Sequence, residues 1–137
     1  MHEWALAEAV VSTALKTSKK EGLKKITRLK IKIGELQQID TETFKFVLEE
    51  VLLPQNPIIK GVKLELKKEE CILKCKVCGT KWSFSEAIKM ISGEESESIH
   101  FIPEVAHTYI RCPKCRSPDF EILEGRGVWI DSIEGEK

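Results

Sequence analysis

The hydrophobic positions of the chain follow first a helical and then a strand period. An opening stripe with spacings of three and four residues predicts an amphipathic helix that ends at Gly22. Its members are Trp4, Ala7, Val11, Ala14 and Leu15. Leu29, Ile31 and Ile33 then alternate with basic residues, which predicts a strand with one buried and one exposed face.

A second helix and a second strand are predicted next. Asp40 and Thr41 are candidate N-cap residues, and Pro54 marks the end of the helix. The apolar face between them consists of Phe44, Val47, Leu48, Val51 and Leu52. Alternation then returns at Val62, Leu64 and Leu66, which predicts the second strand.

The character of the chain changes between residues 71 and 117, a segment that contains all five cysteines. Within it, the polar stretch from Ser92 to Ser98 is expected to be a loop, and residues 120–133 return to strand character. We therefore expect an α+β fold, with two helices packed on a small three-stranded sheet and an inserted zinc-ribbon-like four-cysteine domain. Residues 1–70 and 120–137 would form the first domain, and residues 71–119 the inserted one.

Composition narrows the class of protein. The chain has 137 residues, and its 22 basic and 22 acidic side chains cancel, which argues against a protein that coats nucleic acid. No apolar run is long enough to span a membrane, and the first residues do not resemble a signal peptide. We expect a cytoplasmic protein whose cysteines are reduced and serve a metal or redox site.

The cysteines form two Cys-x-x-Cys knuckles, Cys75/Cys78 and Cys112/Cys115. Two knuckles supply four thiolates, which suits tetrahedral, structural Zn(II). A rubredoxin-like iron site would use the same sulfurs and stays open. A thioredoxin-like redox site is disfavoured because Pro118 interrupts any helix after the second knuckle. Cys71 lies outside both knuckles and is interpreted as a small strand residue, with a reserve ligand or reactive thiol as the alternative.

A zinc ribbon that binds nucleic acid is a further alternative for this module. Such a ribbon needs basic and aromatic residues, but residues 79–111 contain three basic residues against five glutamates. A phosphate partner is therefore disfavoured.

The first three residues form a second candidate metal site. The amine of Met1, the amide nitrogen of His2 and the His2 imidazole close adjacent chelate rings, to which Glu3 adds an amide nitrogen or a carboxylate. Donors in one plane suit Ni(II) or Cu(II). The residues alone leave open that His2 is incidental. His100 and His107 are seven residues apart with Pro103 between them, and each is expected to pack or to lie on a surface loop.

These motifs together resemble the HypA/HybF family of nickel metallochaperones, and the resemblance covers almost the whole chain. It rests on the initial Met1–Ala7 segment, the Ile33–Leu36 segment, the two knuckles and Gly125–Val128. The stretch from His100 to Glu104 is similar to the archaeal branch.

The resemblance implies a non-enzymatic accessory protein that binds Ni(II) at its N-terminus and delivers it for nickel–iron hydrogenase maturation. His2 would be the central nickel ligand, with the Met1 amine and Glu3 nearby and His100 approaching the metal, while the four cysteines hold structural Zn(II). Implied partners are the HypB GTPase and a hydrogenase large subunit, with urease for some members. No nucleic-acid or membrane partner is expected, and the oligomeric state stays open between a monomer and a domain-swapped homodimer. The competing function is a zinc-ribbon protein of the transcription or translation machinery.

Overall fold

A computed structural model describes residues 2–59 and 61–137, without the side chains of His2 and Gln37. The helices are α1 (His2–Lys20), α2 (Thr41–Phe46), α3 (Phe84–Ile88), α4 (Gly93–Phe101) and α5 (Ala106–Tyr109). The strands are β1 (Lys25–Gly34), β2 (Lys63–Glu69), β3 (Ile72–Cys75), β4 (Lys81–Ser83), β5 (Phe120–Glu124) and β6 (Val128–Glu136). No helix among the described residues is both long and apolar enough to cross a bilayer.

The chain divides into two compact units. The first unit comprises Met1–Lys32, Ile39–Lys67 and Val128–Lys137, and the second comprises Ile33–Gln38 and Lys68–Gly127. Each unit contains helices and strands, so the expected α+β fold class is confirmed.

The first unit contains a three-stranded sheet in the order β2-β1-β6, together with α1 and α2. Asp40 caps α2, because its carboxylate accepts hydrogen bonds from the amides of Glu42 and Thr43 at 3.1 and 3.2 Å. After α2 the chain continues as a π-helical segment, Val47–Leu52, and then as a 3₁₀ turn, Leu53–Gln55. Its predicted apolar face is buried at Phe44, Val47 and Leu48 and half-buried at Val51 and Leu52.

Helix α1 forms where the sequence predicts it, but its buried face is rotated from the predicted one. Trp4, expected in the core, is 45% exposed, whereas the adjacent Glu3 is only 5% exposed. The buried stripe is completed by Ala7, Val10, Val11, Ala14 and Ser18. The rotation is accommodated because the Glu3 carboxylate has a hydrogen-bond donor, the backbone N–H of Asp40 at 3.1 Å.

The second unit contains an antiparallel sheet in the order β4-β3-β5. The sequence expectation grouped residues 120–137 in one domain, but β5 pairs with β3 in this sheet, opposite Cys75 at Phe120. Phe120 is buried and contacts the Trp82 ring edge-on, with 5.6 Å between ring centroids. Burial of this aromatic pair stabilises β5 in the second sheet, whereas β6 lies in the first.

The expected loop at Ser92–Ser98 is wrong, because most of it belongs to helix α4. Ser92 accepts a hydrogen bond from the amide of Glu95 at 3.1 Å, and the Glu95 carboxylate accepts one from the Ser92 amide at 2.9 Å. This reciprocal pair is a capping box, which satisfies two N–H groups at a helix start. The polar composition of the stretch reflects its exposure on a helix.

Three glycines take part in close backbone contacts in the second unit. The Leu36 amide donates to the Gly125 carbonyl at 3.0 Å, and the Gly34 amide donates to the Gly127 carbonyl at 2.7 Å. A Cβ on Gly34 would lie 2.3 Å from the Gly125 carbonyl oxygen, so no larger residue fits there without displacing the backbone.

Candidate metal centre

The four knuckle cysteines converge on one point in the second unit. Their sulfur atoms all lie within 4.8 Å of one another, although the knuckles are separated by more than thirty residues of sequence. Cys75 Sγ lies 3.5 Å from Cys115 Sγ, and Cys78 Sγ lies 3.5 Å from Cys112 Sγ. All five cysteines of the chain are free of disulfide bonds.

The two knuckles have the same backbone hydrogen bonds. In each, the first cysteine amide donates to the carbonyl of the residue two positions after the second cysteine: Cys75 to Thr80 at 2.9 Å and Cys112 to Ser117 at 3.0 Å. The residue after the second cysteine donates back to the first, Gly79 to Cys75 and Arg116 to Cys112, both at 3.0 Å. This loop holds both thiols of a knuckle on one side.

Backbone N–H groups also point at the first sulfur of each knuckle. Cys75 Sγ accepts from the amides of Val77 and Cys78, both at 3.4 Å. Cys112 Sγ accepts from the amides of Lys114 and Cys115 at 3.4 and 3.5 Å. Such donors stabilise the thiolate form that a metal requires.

The donor set fits zinc. Tetrahedral Zn(II) with sulfur ligands at about 2.3 Å needs sulfur–sulfur separations of about 3.8 Å, and the four sulfurs here are spaced on that scale. Cys75 and Cys112 are buried, whereas Cys78 and Cys115 are exposed. The arrangement is a closed site that offers four soft ligands and no open coordination position.

Cys78 is prepared for metal binding by Thr80. The Thr80 hydroxyl lies 3.1 Å from Cys78 Sγ. Hydrogen bonds from the side chain and backbone of Thr80 lower the pKa of the Cys78 thiol to about 6. The thiolate at this exposed position therefore forms at a lower pH than that of an ordinary cysteine.

Cys71 is not part of the cluster. It is fully buried, and desolvation, with smaller contributions from Glu35, Glu124 and Glu70, raises the pKa of its thiol to about 12. A Cβ on Gly125 would lie 2.3 Å from the Cys71 Cα, which shows how tightly this position is packed. The structure therefore supports the packing interpretation over a reactive thiol.

The residues of the predicted nickel site are described only in part. Met1 and the His2 side chain lie outside the described residues. Helix α1 begins at His2, so Glu3 lies in its first turn. The Glu3 carboxylate, expected as a nickel ligand or neighbour, accepts a hydrogen bond from the Asp40 amide.

The other two histidines belong to the second unit. His100 is half-buried in the last turn of α4, where its ring meets Phe101 edge-on with 5.1 Å between ring centroids. His107 stacks on Phe120 at 4.2 Å, and its Nδ1 lies 3.1 Å from the Pro118 carbonyl oxygen. His107 therefore packs against β5 and the segment after the second knuckle, as expected for a structural histidine.

Comparison with solved structures shows that the fold is a known one. The fold is similar to "Solution structure of the Ni metallochaperone HypA from Helicobacter pylori", with a TM-score of 0.65, 20% identity, and 98% of this chain and 97% of that chain covered. A second solution structure of a HypA protein gives a TM-score of 0.62 at 21% identity, covering 98% and 96% of the two chains. The fold is thus the one seen in a solved nickel metallochaperone.

The sequence comparisons identify the family. A family model described as HypA, hydrogenase/urease nickel incorporation metallochaperone, matches residues 1–135. Relatives named hydrogenase maturation factor HypA are 43% identical in Thermococcus onnurineus and 42% identical in Pyrococcus horikoshii. Each match spans 137 residues, all of this chain and 97% of the relative. The chain belongs to the HypA family, which confirms the resemblance seen in the sequence and disfavours the zinc-ribbon alternative.

Proposed function

We propose that this chain is a nickel metallochaperone that binds Ni(II) at its amino terminus and delivers it for nickel–iron hydrogenase maturation. The observation that carries the proposal is the family match over residues 1–135, since that family is described by nickel incorporation. The chain also begins with Met-His-Glu, which offers an amine, an imidazole and amide nitrogens to one ion.

The start of helix α1 supports this assignment. Backbone amides in the first turn of a helix are not required by its i to i−4 hydrogen bonds. The amide nitrogens of His2 and Glu3 belong to that turn, so metal coordination there leaves the helical ladder intact. We assign the Met1 amine, the His2 amide and imidazole, and the Glu3 amide to nickel.

The Glu3 carboxylate has a different role in this proposal. It is nearly inaccessible to solvent and accepts a hydrogen bond from the Asp40 amide. The carboxylate therefore positions the first turn of α1 beside the start of α2. We retain His100 as a further nickel ligand on the family resemblance alone.

We assign a structural Zn(II) ion to Cys75, Cys78, Cys112 and Cys115. The support is the spacing of the four sulfurs and the N–H donors at the first sulfur of each knuckle. When bound, zinc would fix the two knuckles and contribute folding free energy to the second unit. The amide nitrogens assigned to nickel then belong to the first unit, and the four zinc ligands belong to the second.

The same proposal covers the cellular location and the partner proteins of this chain. The chain acts in the cytoplasm and catalyses no reaction itself. The HypB GTPase and a hydrogenase large subunit are its partners. These assignments follow from the family resemblance and are tested by co-purification of untagged proteins.

Isothermal titration of the zinc-loaded chain with Ni(II) tests the nickel site. A chain whose Met1 amine is acetylated is expected to fold and keep zinc, yet lose most of its nickel affinity, because the amine becomes an amide. His2→Ala should lose affinity similarly. His107→Ala is the matched control, since that imidazole packs on Phe120 and should leave nickel binding unchanged. Nickel binding by the acetylated chain that equals that of the native chain would place the site elsewhere.

A further inference from the structure

A cavity in the second unit lies outside the metal sites. It has a volume of about 160 Å³, and its apolar lining includes Trp82, Ala87 and Ile91. Pro113 and Arg116 bring the second knuckle into its wall. Pockets that bury drug-sized ligands run to about 300–1,000 Å³, so this cavity suits a single apolar side chain.

The charges around the cavity are unusual for this chain. Of its four arginines, Arg28 and Arg126 form ion pairs with Glu65 and Glu104. The other two, Arg111 and Arg116, both line the cavity, are exposed, and form no ion pair among residues 2–59 and 61–137. Glu86 also lines the cavity, so the net charge of its lining is positive. Two guanidinium groups without carboxylate partners favour an acidic ligand.

Two strained or unsatisfied features also lie in this wall. Arg116 has a φ of +65°, a conformation that costs a side-chain-bearing residue free energy, and Gly79 occupies the same position in the other knuckle. The Trp82 indole Nε1 is buried without a hydrogen-bond acceptor among the described residues. Strained residues cluster at functional sites, and each buried unsatisfied polar group calls for an explanation.

Met90 completes the rim. Its side chain is 71% exposed, although it is apolar and lines the cavity. Flexible methionine side chains recur at protein-binding surfaces because they adapt to the partner.

We propose that this cavity docks an acidic segment of a partner protein, with one apolar side chain in the cavity and neighbouring carboxylates on Arg111 and Arg116. The volume sets the size of the anchoring side chain, and the two unpaired guanidinium groups set the charge of the segment. Binding hot spots are enriched in tryptophan and arginine, and both residue types line this cavity.

Nuclear magnetic resonance of the zinc-loaded chain tests the proposal. The probe is an acetylated five-residue peptide with leucine between two pairs of aspartates. The chain has three tryptophans, so the Trp82 indole N–H signal is assigned by Trp82→Phe. We expect a saturable shift of this signal that weakens as salt is raised. The same peptide with lysine for aspartate, or with glycine for leucine, should produce no such shift.

Variants separate binding from folding. The double variant Arg111→Gln, Arg116→Gln should weaken peptide binding at least about tenfold, because two charge-assisted contacts are lost. Lys89→Gln, an exposed basic residue that is not among those lining the cavity, is the matched control and should bind like the native chain. Arg116→Gly relieves the backbone conformation, so it should keep the fold and still bind more weakly.

Several results would overturn the proposal. These are the absence of any Trp82 shift, equal shifts with the lysine or glycine peptide, and unchanged binding in the arginine double variant. Hexanoate bound as tightly as the peptide would assign the cavity to a small acid instead. Nickel titration of the same variants keeps this proposal separate from the function proposed above, because the cavity contains none of the assigned nickel ligands.

Discussion

Gly79 and Arg116 occupy the same left-handed position in the two knuckles, with φ angles of +79° and +65°. Each follows the second cysteine of its knuckle and donates its amide to the carbonyl of the first. One knuckle thus has the residue that the conformation favours, whereas the other holds an arginine in it.

This difference predicts opposite effects of two substitutions. Gly79→Ala should lower the free energy of unfolding of the zinc-loaded chain by about 1 kcal/mol, because alanine disfavours a positive φ. This cost is purely conformational, since a Cβ on Gly79 would have no atom within 4 Å to clash with. Arg116→Gly should raise it by a smaller amount, since the added freedom of the unfolded chain offsets part of the gain. Urea unfolding measures both. A Gly79→Ala variant with an unchanged free energy of unfolding would show that the turn relaxes.

Loss of a knuckle sulfur should release zinc. Cys112→Ser replaces a buried sulfur that accepts two N–H bonds, so zinc content should fall well below that of the native chain and the second unit should loosen. Cys71→Ser is the matched control, because Cys71 is buried but lies outside the sulfur cluster. Elemental analysis and hydrogen exchange provide the measurements. Full zinc content in Cys112→Ser would contradict the four-sulfur assignment.

The Thr80 hydroxyl should set the acid limit of zinc binding. Hydrogen bonds of Thr80, with smaller contributions from Cys112 and Cys115, lower the pKa of Cys78 to about 6, so that thiolate resists protonation down to mildly acidic pH. Thr80→Val should raise this pKa, so protons compete earlier and zinc is released at a higher pH than in the native chain. Thr80→Ser keeps a hydroxyl and should behave like the native chain. Release is followed with a chromophoric chelator, and identical profiles for the valine and serine variants would refute this role.

The Glu3 carboxylate should matter for stability more than for nickel. Glu3→Ala leaves the Asp40 amide without its acceptor and should cost about 1–2 kcal/mol of the free energy of unfolding. Glu3→Gln keeps an oxygen acceptor, so it should lose less stability and retain nickel affinity through the amide nitrogen. Thermal unfolding and calorimetric titration measure the two effects. A Glu3→Gln variant that is stable but unable to bind nickel would show that the Glu3 carboxylate is itself a nickel ligand.

The sequence predicted most elements because their burial follows from local periodicity. Leu29, Ile31 and Ile33 alternate as predicted and are at most 3% exposed. Asp40 caps α2 because a side-chain acceptor at this position needs only local geometry. The knuckle spacing predicted the four-sulfur cluster for the same reason, since each pair of thiols is fixed within one turn.

The errors arose where local and long-range signals differ. The polarity of the stretch at Ser92 favours a loop, whereas the Ser92–Glu95 spacing is that of a capping box and predicts the helix. The burial of Glu3 instead of Trp4 depends on the Asp40 amide, a partner that no periodicity in α1 reveals. The pairing of β5 with β3 depends likewise on the contact between Phe120 and Trp82.

The division of the chain also limits how its parts can be exchanged. The first unit is built from three segments and the second from two, so the chain passes from one unit to the other four times. Strands β1 and β2 each run through such a crossing, at Lys32–Ile33 and at Lys67–Lys68. Excising either unit would therefore sever two strands, at two of the four crossings. A chimera with a relative must join at four positions in register, and recombination between genes would seldom separate the two halves intact.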